Sequence, residues 1–271
     1  MIINTNIAAT MTANSMKENQ RTMENTMERL STGKRINSAS DDAAGLAIET
    51  RMTSQIKGLS QATRNANDGI SMLQTADGAL GQGNEMLQRM RELAVQSRTG
   101  TLSVKDIANL DQEFAALASE IDRLATDMTF NNVAILASTA NYNIMVGADE
   151  ADVIVISMTD SRLPDELRTL MIPGTGFGVN SDSIIQTLDF MIEANVGSRV
   201  VLGASINRLE YTVDNLNTTI LNTQAAKSQI VDADYASETT ELARTQIISQ
   251  ASTAMLSQAN QQSQSVLALL K

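Results

Sequence analysis

Apolar residues recur every three to four positions over most of this chain, which is the spacing of amphipathic helices. The pattern predicts one helix from residue 41 to a loop at Gly100, a second from 103 to 128, and a third, uninterrupted, from 185 to 230. The third helix would be roughly 70 Å long at about 1.5 Å per residue. Tyr142, Ile144 and Val146 alternate with polar or Met residues, Gly147 to Asp152 supplies a turn, and Val153 to Ile156 is a β-branched run, so this region is predicted to be a β-hairpin. We therefore expect a mainly α protein, an elongated antiparallel helical bundle or coiled coil with a small β-hairpin region at the tip.

Both ends of the chain are rich in amide and hydroxyl side chains. The stretch 245–270 has no charge, no Pro and no Gly, and residues 1–30 are also amide-rich and moderately amphipathic. A helix without a charged face lacks the residues that normally face water. We therefore predict that the two terminal helices pair with each other and are otherwise covered by further copies of the chain. The apolar positions expected to form this polymerisation core are Ile3, Ile7, Met11, Met23, Leu30, Ile248, Met255, Ala259, Val266 and Leu269.

Two breaks in the helical pattern divide the chain into five segments. One lies at Gly33 and residues 37–40, and the other at Asp232 and Asp234. The order is palindromic, so the two ends of the chain should meet. The predicted segments are an N-terminal outer helix with its connection (1–40), an N-terminal helical arm (41–136), a β-hairpin and loop tip (137–181), a long C-terminal helical arm (182–231) and a C-terminal outer helix (232–271).

Capping residues mark two of the predicted helix starts. Ser40 or Asp41 is expected to cap the helix that follows the first break, with Asp42 in its first turn, where a carboxylate is favoured by the helix dipole. Ser103 and Asp106 have the spacing of a capping box. This structural role is favoured over an acid/base or metal-binding role for Asp41 and Asp42.

Composition narrows the function. The chain has no Cys and no His, so it lacks a thiolate nucleophile and the side chain that most often serves as general base and metal ligand. We therefore expect no enzyme activity, no catalytic residues and no cofactor. We also expect no metal site, because the acidic turn at 149–152 lacks the ligand spacing of an EF-hand. The net charge of −11 argues against a nucleic-acid partner. No apolar run approaches the roughly 18 residues of a membrane span, and the first residues do not resemble a cleaved signal peptide.

Long motifs in both halves of the chain resemble those of bacterial flagellins. The N-terminal ones are ERLSTGKRINSASDDAAGLAIETRMTSQIKGLSQATRNANDGISMLQTADGAL (28–80), LQRMRELAVQS (87–97) and EIDRLATDMTFNNVAIL (120–136). The C-terminal ones are INRLEYTVDNLN from Ile206, SQIVDADYA from Ser228 and the final SQANQQSQSVLALLK. They follow the order of the family and cover most of the chain. The sequence departs from the family in the short region between the matched halves and in QQSQ at 261–264, where many members have a proline.

The resemblance implies a structural subunit that polymerises helically into the extracellular filament of the bacterial flagellum, for motility. It implies export through the flagellar channel without a cleaved signal peptide. The implied partners are further copies of the chain, a cytoplasmic export chaperone that binds the C-terminal helix, a cap protein and hook-filament junction proteins. Two alternatives stay open, namely a hook-filament junction protein and a flagellin-like surface adhesin or ligand-binding protein with a pocket in residues 137–200.

The LQRMRELAVQ motif carries a further implied contact. In flagellins, the surface that contains this motif packs against neighbouring subunits and is bound by the Toll-like flagellin receptor of animals. Carried over to this sequence, the resemblance implies a contact surface made of Gln88, Arg89, Leu93 and, on the facing helix, Glu113. We call these four residues the Arg89 patch. The alternative is a set of solvated charges beside an apolar seam.

Overall fold

The computed structural model describes residues 6–137, 139–149, 151–164 and 181–268, with the side chains of 181, 182 and 262–268 left out. The helices are α1 (Ile7–Thr32), α2 (Ala43–Ser97), α3 (Val104–Asp127), α4 (Ser181–Val231) and α5 (Tyr235–Ala268), and the strands are β1 (Thr129–Phe130), β2 (Val133–Ala134), β3 (Ala140–Met145) and β4 (Val153–Met158). The predicted mainly α fold with a small β-hairpin region is confirmed. The predicted connection from Pro164 to Gly178 lies outside the described residues, except for Pro164. Among the described helices, none is long and apolar enough to cross a membrane.

The chain forms two compact units. One contains Met1–Ile56 and Leu221–Lys271, and the other contains Lys57–Ile220.

In the first unit, α1 and α5 lie antiparallel, as predicted for the two ends of the chain. Asn6 Nδ2 donates to the carbonyl of Ala259 at 3.0 Å, and Asn19 Nδ2 donates to the carbonyl of Thr245 at 2.8 Å. Further along the pair, Arg29 lies 3.3 Å from Glu238. Along these three contacts the residue numbers rise in the N-terminal segment and fall in α5, so the helices are antiparallel with a single register. We call α1 and α5 together the terminal hairpin.

The closed end of the terminal hairpin is held by backbone hydrogen bonds. Gly33 ends α1 with a left-handed φ of 70°, and its N–H donates to the carbonyl of Arg29 at 2.8 Å. Such a conformation suits glycine because it has no Cβ. The carbonyl of Gly33 then accepts from the N–H of Ala233 at 3.0 Å, and Lys34 forms a β-bridge with Asp232. The two breaks read from the sequence therefore join each other.

The cap of α2 differs from the prediction. Asp42 is the capping residue, because its Oδ1 accepts from the N–H of Gly45 at 2.9 Å and its carbonyl accepts from Leu46. The predictions that Ser40 or Asp41 caps the helix and that Asp42 lies in the first turn were wrong by one or two positions. Asp41 is engaged in the preceding turn, where its Oδ2 accepts from the N–H groups of Ser38 and Asn37. These backbone hydrogen bonds lower the pKa of Asp41, and the bond from Ser38 has the larger effect.

The second unit has an apolar core that continues the predicted three-to-four spacing. The buried seam of α2 includes Leu59, Ala66, Leu73 and Leu80, and this 55-residue helix continues through Gly81 and Gly83. The predicted capping box at Ser103 and Asp106 begins α3. One buried cluster joins α2 and α4 to the β3–β4 hairpin, and another joins α2, α3 and α4 around Phe114.

The predicted β-hairpin is β3 and β4, antiparallel from Ala140 opposite Met158 to Met145 opposite Val153. Ile156 and Met158 point into the core, so the hairpin is packed on the helices. A second, shorter hairpin formed by β1 and β2 was missed. Its turn is made by Asn131 and Asn132, with φ of 49° and 63°. Positive φ at both central residues is the geometry of a type I′ turn, which asparagine tolerates.

Candidate polymerisation surface

The seam of the terminal hairpin is polar. Among the side chains described in α1 and α5, the buried ones are Asn19, Thr26 and Thr245. Thr245 Oγ1 bonds to the carbonyls of Glu241 and Leu242 in its own helix, and the Thr245 carbonyl accepts from Asn19. No apolar side chain described in these two helices is fully buried, so the hydrophobic stabilisation of the hairpin within one chain comes from partly buried side chains alone.

Three of the ten predicted core residues flank this seam. Met23 and Leu30 are half-buried and follow the buried residues Asn19 and Thr26 by four positions, and Ala259 is half-buried with its carbonyl bonded to Asn6. They support the pairing of the two helices within the chain.

Four other predicted core residues face outward. Ile7 is 54% exposed, Met11 66%, Ile248 37% and Met255 61%. Among the described residues of the first unit, none covers most of the apolar surface of Ile7, Met11 or Met255, whereas Ile248 is about two thirds covered. Ile3 and Leu269 lie outside the described residues, as does the side chain of Val266.

The predicted core set leaves out three further large exposed side chains of the hairpin, Met27, Tyr235 and Ile247. Ile247 lies beside Ile248 but outside the seven-residue spacing on which the prediction depended. High exposure of a large apolar side chain was the signal, and only the structure provides it.

Charge is distributed unevenly along the terminal hairpin. Residues 6–16 and 245–268 carry no ionisable side chain, and we call these two stretches the uncharged end. From Lys17 to Arg35 and from Asp232 to Arg244, acidic and basic residues recur. Covering the uncharged end with protein removes no charge from water, so it avoids the largest cost of burying a surface.

The Arg89 patch lies between α2 and α3. Arg89 Nη2 is 2.8 Å from Glu113 Oε1, and Arg89 Nη1 is 3.1 Å from Glu92 Oε2. The hydrogen bond to Glu113, followed by the one to Glu92, raises the pKa of Arg89, so the guanidinium is a fixed cation. Gln88, Arg89 and Glu113 are exposed, whereas Leu93 is 0% exposed in the core cluster around Phe114. Leu93 therefore packs in the core below the exposed residues of the patch and is not accessible to a partner of the folded chain.

The described residues contain no group of three His, Cys, Asp or Glu side chains placed to hold a metal ion.

Comparison with known proteins identifies the family. The family model for the bacterial flagellin N-terminal helical region matches residues 3–141, and the one for the C-terminal helical region matches residues 185–270. The chain belongs to the bacterial flagellin family. Flagellin from Halalkalibacterium halodurans is 45% identical over 100% of both chains, and that from Bacillus subtilis is 39% identical over 100% of both. The flagellar filament 33 kDa core protein of Treponema phagedenis is 38% identical, again over 100% of both.

Solved structures agree with the flagellin fold. The crystal structure of Bacillus cereus flagellin is 30% identical, with a TM-score of 0.50 over 60% of this chain and 94% of that one. A structure named for a flagellar hook-associated protein of Vibrio parahaemolyticus is 14% identical, with a TM-score of 0.62 over 71% of this chain and 100% of that one, and supports the fold alone. As a flagellin, the chain is a structural subunit of the extracellular flagellar filament and not an enzyme.

Proposed function

We propose that this flagellin polymerises by covering the uncharged end of its terminal hairpin with other copies of the chain. The observation that carries the proposal is the exposure of Ile7, Met11, Ile248 and Met255 in the uncharged end, where the two helices present no ionisable side chain to water. Large apolar side chains clustered on an exposed surface mark interaction sites. A second copy is the fitting partner because the family consists of filament subunits.

Assembly would also complete the folding of this hairpin. Ordering a helix costs conformational entropy, and a helix gains most of its stability by packing an apolar face. The seam supplies mainly Asn19, Thr26 and Thr245, which contribute hydrogen bonds but little apolar area. The outward apolar side chains would therefore contribute their stabilisation only when neighbouring subunits arrive.

A charge at Met255 tests the proposal. Met255→Lys places an ammonium group where we expect a dry contact, so polymerisation should fall sharply because an unpaired buried charge is costly. The matched control is Tyr235→Lys, which replaces an equally exposed residue, 65% against 61%, in the charged first turn of the same helix. Sedimentation of polymer at increasing monomer concentration measures the effect, and circular dichroism checks that both monomers are equally helical. Normal polymerisation of Met255→Lys would overturn the proposal.

We further propose that the animal Toll-like flagellin receptor contacts the exposed part of the Arg89 patch. The support is the position of Gln88, Arg89 and Glu113 on one accessible surface, with the guanidinium held by Glu113. Arg89→Ala should weaken receptor signalling by purified monomer at least about tenfold, as expected of an arginine at the centre of an interface. The control is Arg123→Ala, which removes another exposed arginine from α3, paired with Glu120. Equal signalling by the two variants would rule out the contact.

The remaining proposed partners rest on family membership. We propose that an export chaperone binds α5, that cap and junction proteins contact the filament ends, and that export proceeds through the flagellar channel without removal of a signal peptide. The export proposal predicts that protein recovered from detached filaments has the intact chain mass of 29.1 kDa. Mass spectrometry showing loss of N-terminal residues beyond the initiator Met would contradict it.

A further inference from the structure

Two exposed methionines lie in the uncharged end of the terminal hairpin. Met11 on α1 is 66% exposed and Met255 on α5 is 61% exposed. By contrast, Met90 is fully buried in the second unit. Thioether sulfur is the most readily oxidised group available here, because the chain has no Cys.

The register of the hairpin puts the two methionines at the same level. Asn6 bonds to Ala259, and the contact of Asn19 with Thr245 confirms that the helices run antiparallel in step. Five residues along α1 from Asn6 is Met11, and five residues back along α5 from Ala259 is Ala254, the neighbour of Met255. One narrow level of the hairpin therefore carries an exposed thioether on each helix.

We propose that Met11 and Met255 form an oxidation-sensitive modification site, at which conversion to sulfoxide by hydrogen peroxide keeps the chain monomeric and which assembly protects. The sulfur lone pair attacks one peroxide oxygen, the S–O bond forms as the O–O bond breaks, and the departing oxygen leaves as water after proton transfer. The thioether loses two electrons and the peroxide gains them. The sulfoxide is polar, and sulfoxide reductases reverse it.

The consequence depends on the state of the chain and rests on the polymerisation proposed above. In the monomer both sulfur atoms are accessible to a small oxidant. In the filament the same side chains would lie between subunits, out of reach. Peroxide would thus act on chains that have not yet assembled and spare those already in the filament.

Peroxide treatment of purified monomer tests the proposal. Peptide mass spectrometry should find sulfoxide at Met11 and Met255 at least as readily as at Met27, which is 54% exposed on the charged part of α1, and much less at Met90. The monomer concentration needed for polymerisation should rise at least about tenfold, because two contacts that are apolar become polar. Filaments treated in the same way should show protection of Met11 and Met255.

Leucine variants identify the responsible sites. The double variant Met11→Leu, Met255→Leu conserves volume and apolarity, so it should polymerise normally and keep doing so after peroxide. The control Met27→Leu should remain as sensitive as the unsubstituted chain. Circular dichroism of every treated monomer excludes loss of helix as the cause.

Three results would overturn the proposal: no sulfoxide at Met11 and Met255, normal polymerisation of monomer that carries it, or equal sensitivity of the double leucine variant. Met255→Lys separates this failure from failure of the polymerisation surface. If Met255→Lys blocks assembly but sulfoxide does not, the surface stands and only the oxidation site is refuted. If Met255→Lys assembles normally, the surface itself is refuted.

Discussion

Replacing Leu93 separates core packing from surface contact within the Arg89 patch. The Leu93 side chain is completely buried beside Met90 and Phe114, which are themselves 0% exposed. Truncating a fully buried leucine to alanine removes its transfer free energy and leaves a cavity, at a combined cost of about 2–5 kcal/mol. Leu93→Ala should therefore destabilise the unit Lys57–Ile220, whereas Arg89→Ala removes only exposed ion pairs and should leave stability almost unchanged.

Scanning calorimetry of both variants beside the unsubstituted chain measures the difference. For a unit of this length, each kcal/mol lowers the melting temperature by about 2–4 °C, so a loss of ~3 kcal/mol corresponds to about 10 °C. A shift below ~2 °C for Leu93→Ala would show that the side chain is not part of the core and would refute the reasoning. A large shift for Arg89→Ala would equally refute the assignment of that residue to the surface. The outcome decides which substitution is usable in receptor assays, since a destabilised variant loses signal for reasons unrelated to contact.

Three further predictions follow from local geometry. Gly33→Val places a β-branched residue at a φ of 70° and should lower stability by about 1–2 kcal/mol, measured by urea titration of helix content, while an equal stability would contradict the strain. The hydrogen bonds from Ser103 lower the pKa of Asp106, so the folded chain binds this proton more weakly than the unfolded chain. The stabilisation from this cap is complete above the ordinary pKa of 3.8 and is lost as the pH falls through the lower pKa of the folded state. Asp106→Asn should therefore reduce the fall in melting temperature on acidification. Among the described residues, the Oδ1 atoms of Asn84 and Asn195 are buried and have no hydrogen-bond partner. Asn84→Leu should therefore raise the free energy of unfolding by about 1 kcal/mol in a calorimetric comparison, and a decrease would mean that the oxygen is satisfied.

The helices of this fold follow from periodicity because their apolar spacing is sustained over many turns. The predicted helix 185–230 is Ser181–Val231, an agreement that short patterns rarely allow. Glycine weakens isolated helices, but α2 continues through Gly81 and Gly83 because tertiary packing overrides that preference. Both face α4, where Arg199 and Asn195 approach them.

The turn between β1 and β2 and the capping residue of α2 were not predicted, because in each case two local conformations have similar free energies. The turn at Asn131 and Asn132 needs positive φ at both residues, and Asn-Asn allows that conformation without requiring it. Asp41 and Asp42 are both competent caps, and the selection of Asp42 depends on the bonds that Asp41 makes to the preceding turn.

Composition predicted the pairing of the two terminal helices, which the structure shows, but it did not predict which face of each helix lies in the pair. Sequence alone indicated that the terminal helices pair, but it treated the apolar residues of both helices as one set. The structure divides that set, with Met23, Leu30 and Ala259 beside the intrachain seam and Met11, Met255 and others outside it. A helix with apolar residues on several sides does not reveal which side its own chain will cover.

The polar seam of the terminal hairpin gives a physical reason for that division. Buried hydrogen bonds contribute little net stability, but they require particular partners, as a buried polar residue does in a coiled coil. Asn6 and Asn19 each donate to one carbonyl of the opposite helix, so a shift by one residue would leave the buried amide of Asn19 unsatisfied. The seam thus sets the register while leaving stability low, and the outward apolar residues supply stability when subunits meet. In a helical polymer this order has an advantage, because an error of register in one hairpin would misplace Met11 relative to Met255 and with them every contact that the subunit offers to its neighbours.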